Sequence, residues 1–191
     1  MSTPPPAPPP TFLSFSAEVN PTTTESLLAA MNNLIAQGAQ EIHLLLSTPG
    51  GSVMNGINIY NVLRALPIKL VTHNVGNVDS IGNTIFLAGE TRYACPHSTF
   101  MFHGVGFDIT QVMRFDERAL AEKLVSVQAD QKRIAAVIEE RTSLTAEEIA
   151  AMFLEAATKD ATYAVGKGIV HEIRDVNVPM GAAVHQLVFQ R

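Results

Sequence analysis

Apolar segments of two kinds alternate along the first hundred residues of this chain. Runs such as EIHLLLS are short and continuously apolar, which is typical of strands in a parallel sheet. Runs such as SVMNGINIYNVLRAL repeat their apolar residues three and four positions apart, which predicts helices. Short connections rich in glycine and proline join the two kinds. The pattern predicts a β-α-β-α-β-α-β order with right-handed crossovers and a largely parallel sheet.

Local signals indicate where the first helices begin and end. Thr22 and Glu25 have the spacing of a capping box, and Gly38 follows the last apolar residue of that helix. The second helix ends before Pro67. The segment SIGNTIFLAG predicts a third helix between the strands IKLVTHNVG and TFMFHGV.

The second half of the chain is dominated by one long amphipathic helix, predicted over residues 116–141. At this length it would span roughly 39 Å, so we expect it to protrude and to contact another subunit. Thr145 and Glu148 predict a capping box for a helix through Leu154. Asp160 predicts the cap of another short helix, and GIVHEI predicts a last strand.

Composition narrows the class of protein. The chain has 191 residues, a net charge of −5 and no basic run, which argues against nucleic acid as a partner. No apolar run reaches the roughly 18 residues of a membrane span. Residues 1–11 predict a disordered proline-rich tail before a single domain over 12–191, and without a signal-peptide pattern we expect a cytoplasmic protein. We expect no cofactor and no metal.

Candidate chemistry follows the predicted ends of three strands, which meet at one edge of a parallel sheet. Ser80 follows the third strand and His103 ends the fourth. Ser80 could be a nucleophile at a helix N-terminus, with His103 as general base and the Ile81 amide as an oxyanion donor. Gly50 or Gly51, after the second strand, could supply a second donor. Each residue also has a structural interpretation: a helix cap, a core histidine and an ordinary turn.

Three segments together resemble the proteolytic subunit of the Clp protease: LLLSTPGGSVMNGINIYNVLRAL, GNVDSIGNTIFLAGETRYACPHSTFMFHG and RTSLTAEEIAAM…AVGKGIVHEI. The resemblance covers about residues 12 to 174. It implies an α/β fold, the crotonase-like β-α superhelix with a long handle helix. By position it implies Ser80 as nucleophile, His103 as general base and the amides of Gly51 and Ile81 as the oxyanion hole. It further implies extended-peptide binding at Gly50, Gly51, Ser52, Val53 and Gly104.

The chain departs from the family pattern at the third catalytic residue and at the N-terminus. Ala156 stands where the family has the triad aspartate. The neighbouring carboxylate, Glu155, is the predicted replacement, although adjacent helical residues point about 100° apart. The resemblance implies a homo-oligomeric ring that stacks through the handle. The proline-rich tail replaces the family's axial loop, so the sequence does not predict a Clp-type ATPase partner.

The sequence is compatible with three functions. The first is a serine endopeptidase that cleaves peptides or unfolded proteins through Ser80. The second is a weakly active or inactive ring subunit with a regulatory or scaffolding role, suggested by Ala156. The third is a crotonase-fold enzyme acting on acyl-CoA. Ser80 and His103 favour the first over the third, because thioester hydration or isomerisation requires carboxylates, and the chain lacks a basic cluster for the phosphates of CoA.

Overall fold

The computed structural model describes residues 9–107, 109 and 111–189. The strands in these ranges are β1 (Thr11–Ser16), β2 (Glu41–Thr48), β3 (Lys69–Asp79), β4 (Thr91–Ala94), β5 (Thr99–Phe102), β6 (Ala157–Asp160), β7 (Glu172–Ile173) and β8 (Val184–Gln186). The helices are α1 (Pro21–Ala36), α2 (Val53–Ala65), α3 (Gly82–Phe86), α4 (Glu117–Arg141), α5 (Ala146–Glu155) and α6 (Ala161–Gly166). Residues 1–8 of the predicted proline-rich tail lie outside the described residues.

The strands form one mixed sheet in the order β6-β5-β3-β2-β1-β8, with β4 and β7 branching from β3. Every strand pair is parallel except β5 with β6. The long strand β3 pairs with β4 over Val71–Asn74 and with β5 over Asn77–Asp79. The largely parallel sheet predicted from the apolar runs is confirmed, and it brings the carboxyl ends of β2, β3 and β5 together.

Helix starts were predicted with mixed success. The capping box proposed at Thr22 and Glu25 is wrong: α1 begins at Pro21, and Asn20 and Thr23 cap it reciprocally. Proline fits the first helical position because its missing N–H has no helical partner there anyway. Gly38 does follow α1 with a φ of 95°. The capping box of α5 and the Asp160 cap of α6 are confirmed.

Several short elements differ from the sequence prediction. The third helix, α3, has five residues rather than the ten of SIGNTIFLAG. GIVHEI contributes only the two-residue strand β7, and it is not the last strand, since β8 follows. Strands β4, β6 and β8 were not predicted. Each has three or four residues and forms because a neighbouring strand offers it hydrogen bonds, a tertiary effect that local periodicity does not carry.

The long helix predicted over 116–141 is confirmed as α4, capped by Asp116. Its C-terminal half packs on the core through the buried Ile134 and Ile138. Its N-terminal half does not: the side chains of Leu120 and Leu124 are 51% and 56% exposed. Among the described residues, α4 therefore carries an apolar stripe of which only half has a partner.

Candidate active site

A cleft of about 300 Å³ opens where β2, β3 and β5 end. Five of the residues singled out in the sequence line it, namely Gly51, Val53, Ser80, His103 and Gly104. The rest of its wall is mostly apolar and comes from the segment after β5, from α4 and from α5. Gly50, Ser52, Ile81 and Glu155 are not part of the lining. No lysine or arginine lines the cleft within the described ranges.

Ser80 occupies a sharp turn between β3 and α3. Its φ is 56°, in the left-handed region that non-glycine residues seldom adopt. The turn is held through the Ser80 backbone: its N–H donates to the Met101 carbonyl over 2.8 Å, and its carbonyl accepts from the Asn83 N–H over 3.1 Å. The alternative interpretation of Ser80 as a helix cap is wrong, because no side chain caps α3. With five residues, α3 also adds little helix dipole at Ser80.

The glycine pair after β2 lies directly against this turn. Gly50 has a φ of 89°, and a Cβ on it would lie 2.7 Å from the Ser80 Cβ. Gly51 has a φ of 139°, and a Cβ there would lie 2.3 Å from the Val19 carbonyl oxygen. Only glycine fits either position, because both the backbone conformation and the space exclude a side chain. The close approach of this segment to Ser80 supports its interpretation as the source of an oxyanion donor.

Two backbone amides near Ser80 lack an acceptor among the described residues. Val19 pairs with the carbonyl of Gly50 and with the amide of Ser52, over 2.7 and 2.8 Å, and leaves the Gly51 N–H free. The Ile81 N–H likewise has no acceptor in the described residues, although Ile81 itself is fully buried. Buried amides are rarely left unpaired in proteins, which makes the Ile81 N–H unusual; Gly51 is exposed at the surface of the cleft. Both N–H groups are available to a ligand oxygen, while the Ser52 amide is not.

His103 directly follows β5, half-buried at the cleft. The next residue, Gly104, donates its N–H to the Phe153 carbonyl over 2.9 Å, which fixes this strand end against α5. Gly104 therefore lines the cleft with its backbone amide already paired. Ser80 and His103 are thus brought to one cleft, as the strand-end argument predicted.

Ala156 and His103 both lie just beyond the β5–β6 ladder. The last pair of this antiparallel ladder is Phe102 and Ala157, so His103 and Ala156 are each one residue past it. Ala156 ends α5 with a φ of 52° and carries only a methyl group. Glu155, the predicted third catalytic residue, is exposed at the last position of α5. Its catalytic role stays a prediction.

Sequence reasoning missed two asparagines that organise the site. Asn77 donates to the Asp79 carboxylate over 2.6 Å and to the Thr48 carbonyl over 3.2 Å, which ties the ends of β2 and β3 together. Asn83, in α3, donates from its side chain to the carbonyls of Ser80 and Met101. The position of Asn83, three residues after the candidate nucleophile, is a sequence signal that it could contact the Ser80 turn. Its second partner, the Met101 carbonyl, is apparent only in the folded structure.

No three histidine, cysteine, aspartate or glutamate side chains in residues 9–107, 109 and 111–189 are grouped to hold a metal ion. No helix in this part of the chain combines the length and apolarity needed to cross a membrane.

Comparisons with known proteins agree with the geometry. A family model described as Clp protease matches residues 11–177. Proteolytic subunit 3 of the ATP-dependent Clp protease from Synechococcus sp. (strain CC9605) is 36% identical over 95 residues, 48% of either chain. Proteolytic subunit 1 of the ATP-dependent Clp protease from Mycobacterium leprae (strain TN) is 33% identical over 95 residues, again 48% of either chain. The aligned part thus spans about half the length of these curated relatives.

A solved structure has the same fold. A point mutant of ClpP1 from Listeria monocytogenes superposes with a TM-score of 0.77 over 86% of this chain and 91% of that chain. The two sequences are 22% identical, so this similarity bears on fold alone. The α/β fold of the ClpP type that the sequence resemblance implied is confirmed.

Proposed function

This chain belongs to the Clp protease family, and we propose that it is a serine endopeptidase that cleaves peptides or unfolded proteins through an acyl-enzyme on Ser80. One observation carries the proposal. Ser80, in its left-handed turn, lines the same cleft as His103 and the glycine loop, and two amides beside it lack acceptors in the described residues.

The proposed reaction uses three kinds of group. The neutral His103 imidazole takes the proton of the Ser80 hydroxyl as its oxygen attacks the scissile carbonyl carbon. The amides of Gly51 and Ile81 donate to the oxyanion of the tetrahedral intermediate. His103 then gives the proton to the leaving amine, and water, activated by the same imidazole, hydrolyses the acyl-enzyme.

The walls of the cleft indicate how a peptide would lie. We expect an extended substrate to add as a strand along the backbone of Gly50 to Val53 and the segment after His103. Val53, Val105 and Ile138 contribute apolar surface beside Ser80. Since the described lining holds no lysine or arginine, an apolar side chain is expected next to the scissile bond.

The proposed assembly is a homo-oligomeric ring, stacked in pairs through α4. Its support in this chain is the exposed apolar N-terminal half of α4, where Leu120 and Leu124 lack partners among the described residues. Burial of such a stripe against a second copy is favourable in proportion to the apolar area removed from water.

A second candidate function is a weakly active or inactive ring subunit that regulates or scaffolds an active one. The observation that favours it is Ala156, which like His103 lies one residue beyond the β5–β6 ladder and offers no carboxylate to orient the imidazole. Loss of the orienting acid lowers kcat by about 10⁴ in well-studied triads. Low turnover with an intact fold would fit this candidate.

Hydrolysis of a fluorogenic peptide with an apolar residue before the scissile bond tests the proposal. We expect Ser80→Ala and His103→Ala to reduce turnover to the small residual rate that substrate binding and the oxyanion donors alone support, while Ser126→Ala on the exposed face of α4 leaves it unchanged. Turnover by folded wild-type protein that equals that of Ser80→Ala would exclude peptidase activity of the chain alone.

A further inference from the structure

Asn83 connects the turn of Ser80 to β5. Its side chain is 1% exposed, and its Nδ2 donates to the Ser80 carbonyl over 3.0 Å and to the Met101 carbonyl over 2.8 Å. The Asn83 backbone N–H donates to the same Ser80 carbonyl over 3.1 Å. Because both side-chain partners are carbonyl oxygens, the nitrogen of the amide must face them. One buried side chain thus holds the carbonyl of the candidate nucleophile.

The orientation of that carbonyl determines where the next amide points. The chain has no cis peptide bond in its described residues, and in a planar trans peptide the C=O and N–H point in opposite directions. A Ser80 carbonyl held toward Asn83 therefore directs the Ile81 N–H away from it. Ile81 N–H is also the amide that lacks an acceptor in the described residues.

We propose that Asn83 is a positioning residue that clamps the Ser80–Ile81 peptide so that the Ile81 N–H serves as an oxyanion donor. The inference rests on the proposed function of Ser80. The clamp opposes the conformational strain of the turn, since Ser80 with a φ of 56° would relax if its carbonyl were released.

The chemistry of Asn83 favours positioning over simple stabilisation. Its Oδ1 is buried without a hydrogen-bond partner among the described residues, and a buried acceptor without a partner destabilises a fold. The two carbonyls on Nδ2 come from the nucleophile and from the strand that leads to His103, so this one side chain joins the two parts of the site.

Two variants in α3 separate positioning from general damage to the helix. Asn83→Ala removes both side-chain bonds of the clamp and keeps only the backbone N–H donor to the Ser80 carbonyl. Thr84→Val is the matched control, because Thr84 is equally buried and its hydroxyl has no partner in the described residues. Asn83→Ser is a milder variant, whose hydroxyl can donate to one of the two carbonyls. It serves if Asn83→Ala does not fold.

Two measurements give the first result: turnover of the peptide substrate and the affinity for a peptide boronate. The boronate forms a tetrahedral adduct on Ser80 Oγ and places one oxygen at the oxyanion site. Removing one oxyanion donor lowers kcat by about 10² to 10³, so a misdirected donor in Asn83→Ala should lower kcat and boronate affinity by about ten- to a hundredfold. We expect KM to change less than about twofold, Asn83→Ser to be intermediate and Thr84→Val to match wild type.

Crystal structures of Asn83→Ala and Thr84→Val test the inference without activity. We expect Ser80 to leave the left-handed region in Asn83→Ala, or in Asn83→Ser if that variant is used, and to keep it in Thr84→Val. An unchanged Ser80–Ile81 peptide in the clamp variant overturns the inference, whatever the kinetics. An inactive wild type whose peptide does turn in the clamp variant would remove the proposed function and retain the positioning role of Asn83.

Discussion

Ala156 has a backbone conformation that suits another residue type. Its φ of 52° lies in the left-handed region, where asparagine and aspartate are several-fold enriched over alanine. Both Ala156 and His103 lie one residue beyond the last pair of the β5–β6 ladder. A carboxylate at position 156 would therefore meet two local requirements at once, relief of backbone strain and an acceptor near the imidazole.

Ala156→Asp should raise peptide turnover. We expect kcat to increase by at least about tenfold, because a carboxylate that orients the general base contributes up to about 10⁴ in known triads. Ala156→Asn is the matched control, with similar relief of strain and no charge. Equal kcat values for the two variants, measured at saturating peptide, would show that a missing carboxylate does not limit turnover.

Glu155, the neighbour of Ala156, is the other candidate source of a carboxylate that orients His103. If Glu155 replaces the triad acid, Glu155→Gln lowers kcat in the wild-type background and has little effect once Ala156→Asp is present. Its exposed position at the end of α5 requires the side chain to turn toward His103. An unchanged kcat for Glu155→Gln would leave Ser80 and His103 as a dyad.

The sequence was sufficient to predict that Ser80, His103 and Gly51 share one cleft, because residues after parallel strands share an edge of the sheet. It was not sufficient for Asn77 and Asn83. Their roles depend on carbonyl oxygens of Thr48 and Met101, which lie 29 and 18 residues away along the chain. Side-chain hydrogen bonds to distant backbone leave no periodic signal.

At the scale of elements, Arg92 holds three helix ends together. It is buried and donates to the carbonyls of Gly89, Arg141 and Gly168, which follow or end α3, α4 and α6. Burial is the main cause that lowers the pKa of Arg92 to about 10, so its guanidinium remains charged at pH 7. A cation among helix C-termini is stabilised by their carbonyl dipoles.

Arg92→Met should destabilise the fold strongly. It leaves several buried carbonyls without donors, so we expect the free energy of unfolding to fall by at least about 3 kcal/mol. The control is Arg118→Met, whose exposed ion pair with Glu122 should contribute less than about 1 kcal/mol. Urea denaturation of wild type and the two variants measures both changes in stability. Equal midpoints for the three proteins would contradict the stabilising role of Arg92.

Elements with a clear apolar periodicity were predicted from the sequence. Short strands that form only by pairing with a neighbouring strand were not. The run EIHLLLS became β2, and the predicted helix 116–141 became α4 with its cap at Asp116. Strand β6 exists because α5 ends in the left-handed turn at Ala156, which returns the chain antiparallel to β5. Nothing in the letters ATKD indicates that return.

At the scale of the whole molecule, the exposed half of α4 makes a prediction about assembly. Leu124→Asp places a charge in the apolar stripe, and we expect it to prevent stacking of rings and to lower the sedimentation coefficient. Ser126→Asp adds the same charge at an exposed polar position of the same helix and should leave the assembly unchanged. Sedimentation velocity that is identical for wild type and Leu124→Asp would argue against stacking through α4.

The stability of the folded chain should depend on pH through His73. This side chain is 3% exposed and lies 2.9 Å from the His43 ring nitrogen. Burial first, and positive charge on His43 and Arg174 next, lower the pKa of His73 from 6.5 to about 4. Because folding favours the neutral ring, its contribution is present above pH 6.5 and is lost as the pH falls toward 4.

Between pH 6.5 and pH 5, we therefore expect the free energy of unfolding to fall by about 1.5 kcal/mol from this residue. His73→Gln should remove that part of the slope, and the exposed His97→Gln should retain it. The comparison holds at each pH because His171, whose pKa burial also lowers, is present in all three proteins. Equal slopes in urea denaturation across the series would show that His73 does not titrate in this way.

The most direct test of the proposed function is the intact mass of the folded protein after incubation with a fluorophosphonate. We predict one adduct per chain, mapped by peptide sequencing to Ser80, absent from Ser80→Ala and formed much more slowly by His103→Ala. Such an adduct requires a serine activated by a base in a formed oxyanion site. No adduct on folded wild-type protein at any pH from about 6 to 9, where a histidine base acts, would contradict the assignment of Ser80 as the nucleophile of an active peptidase.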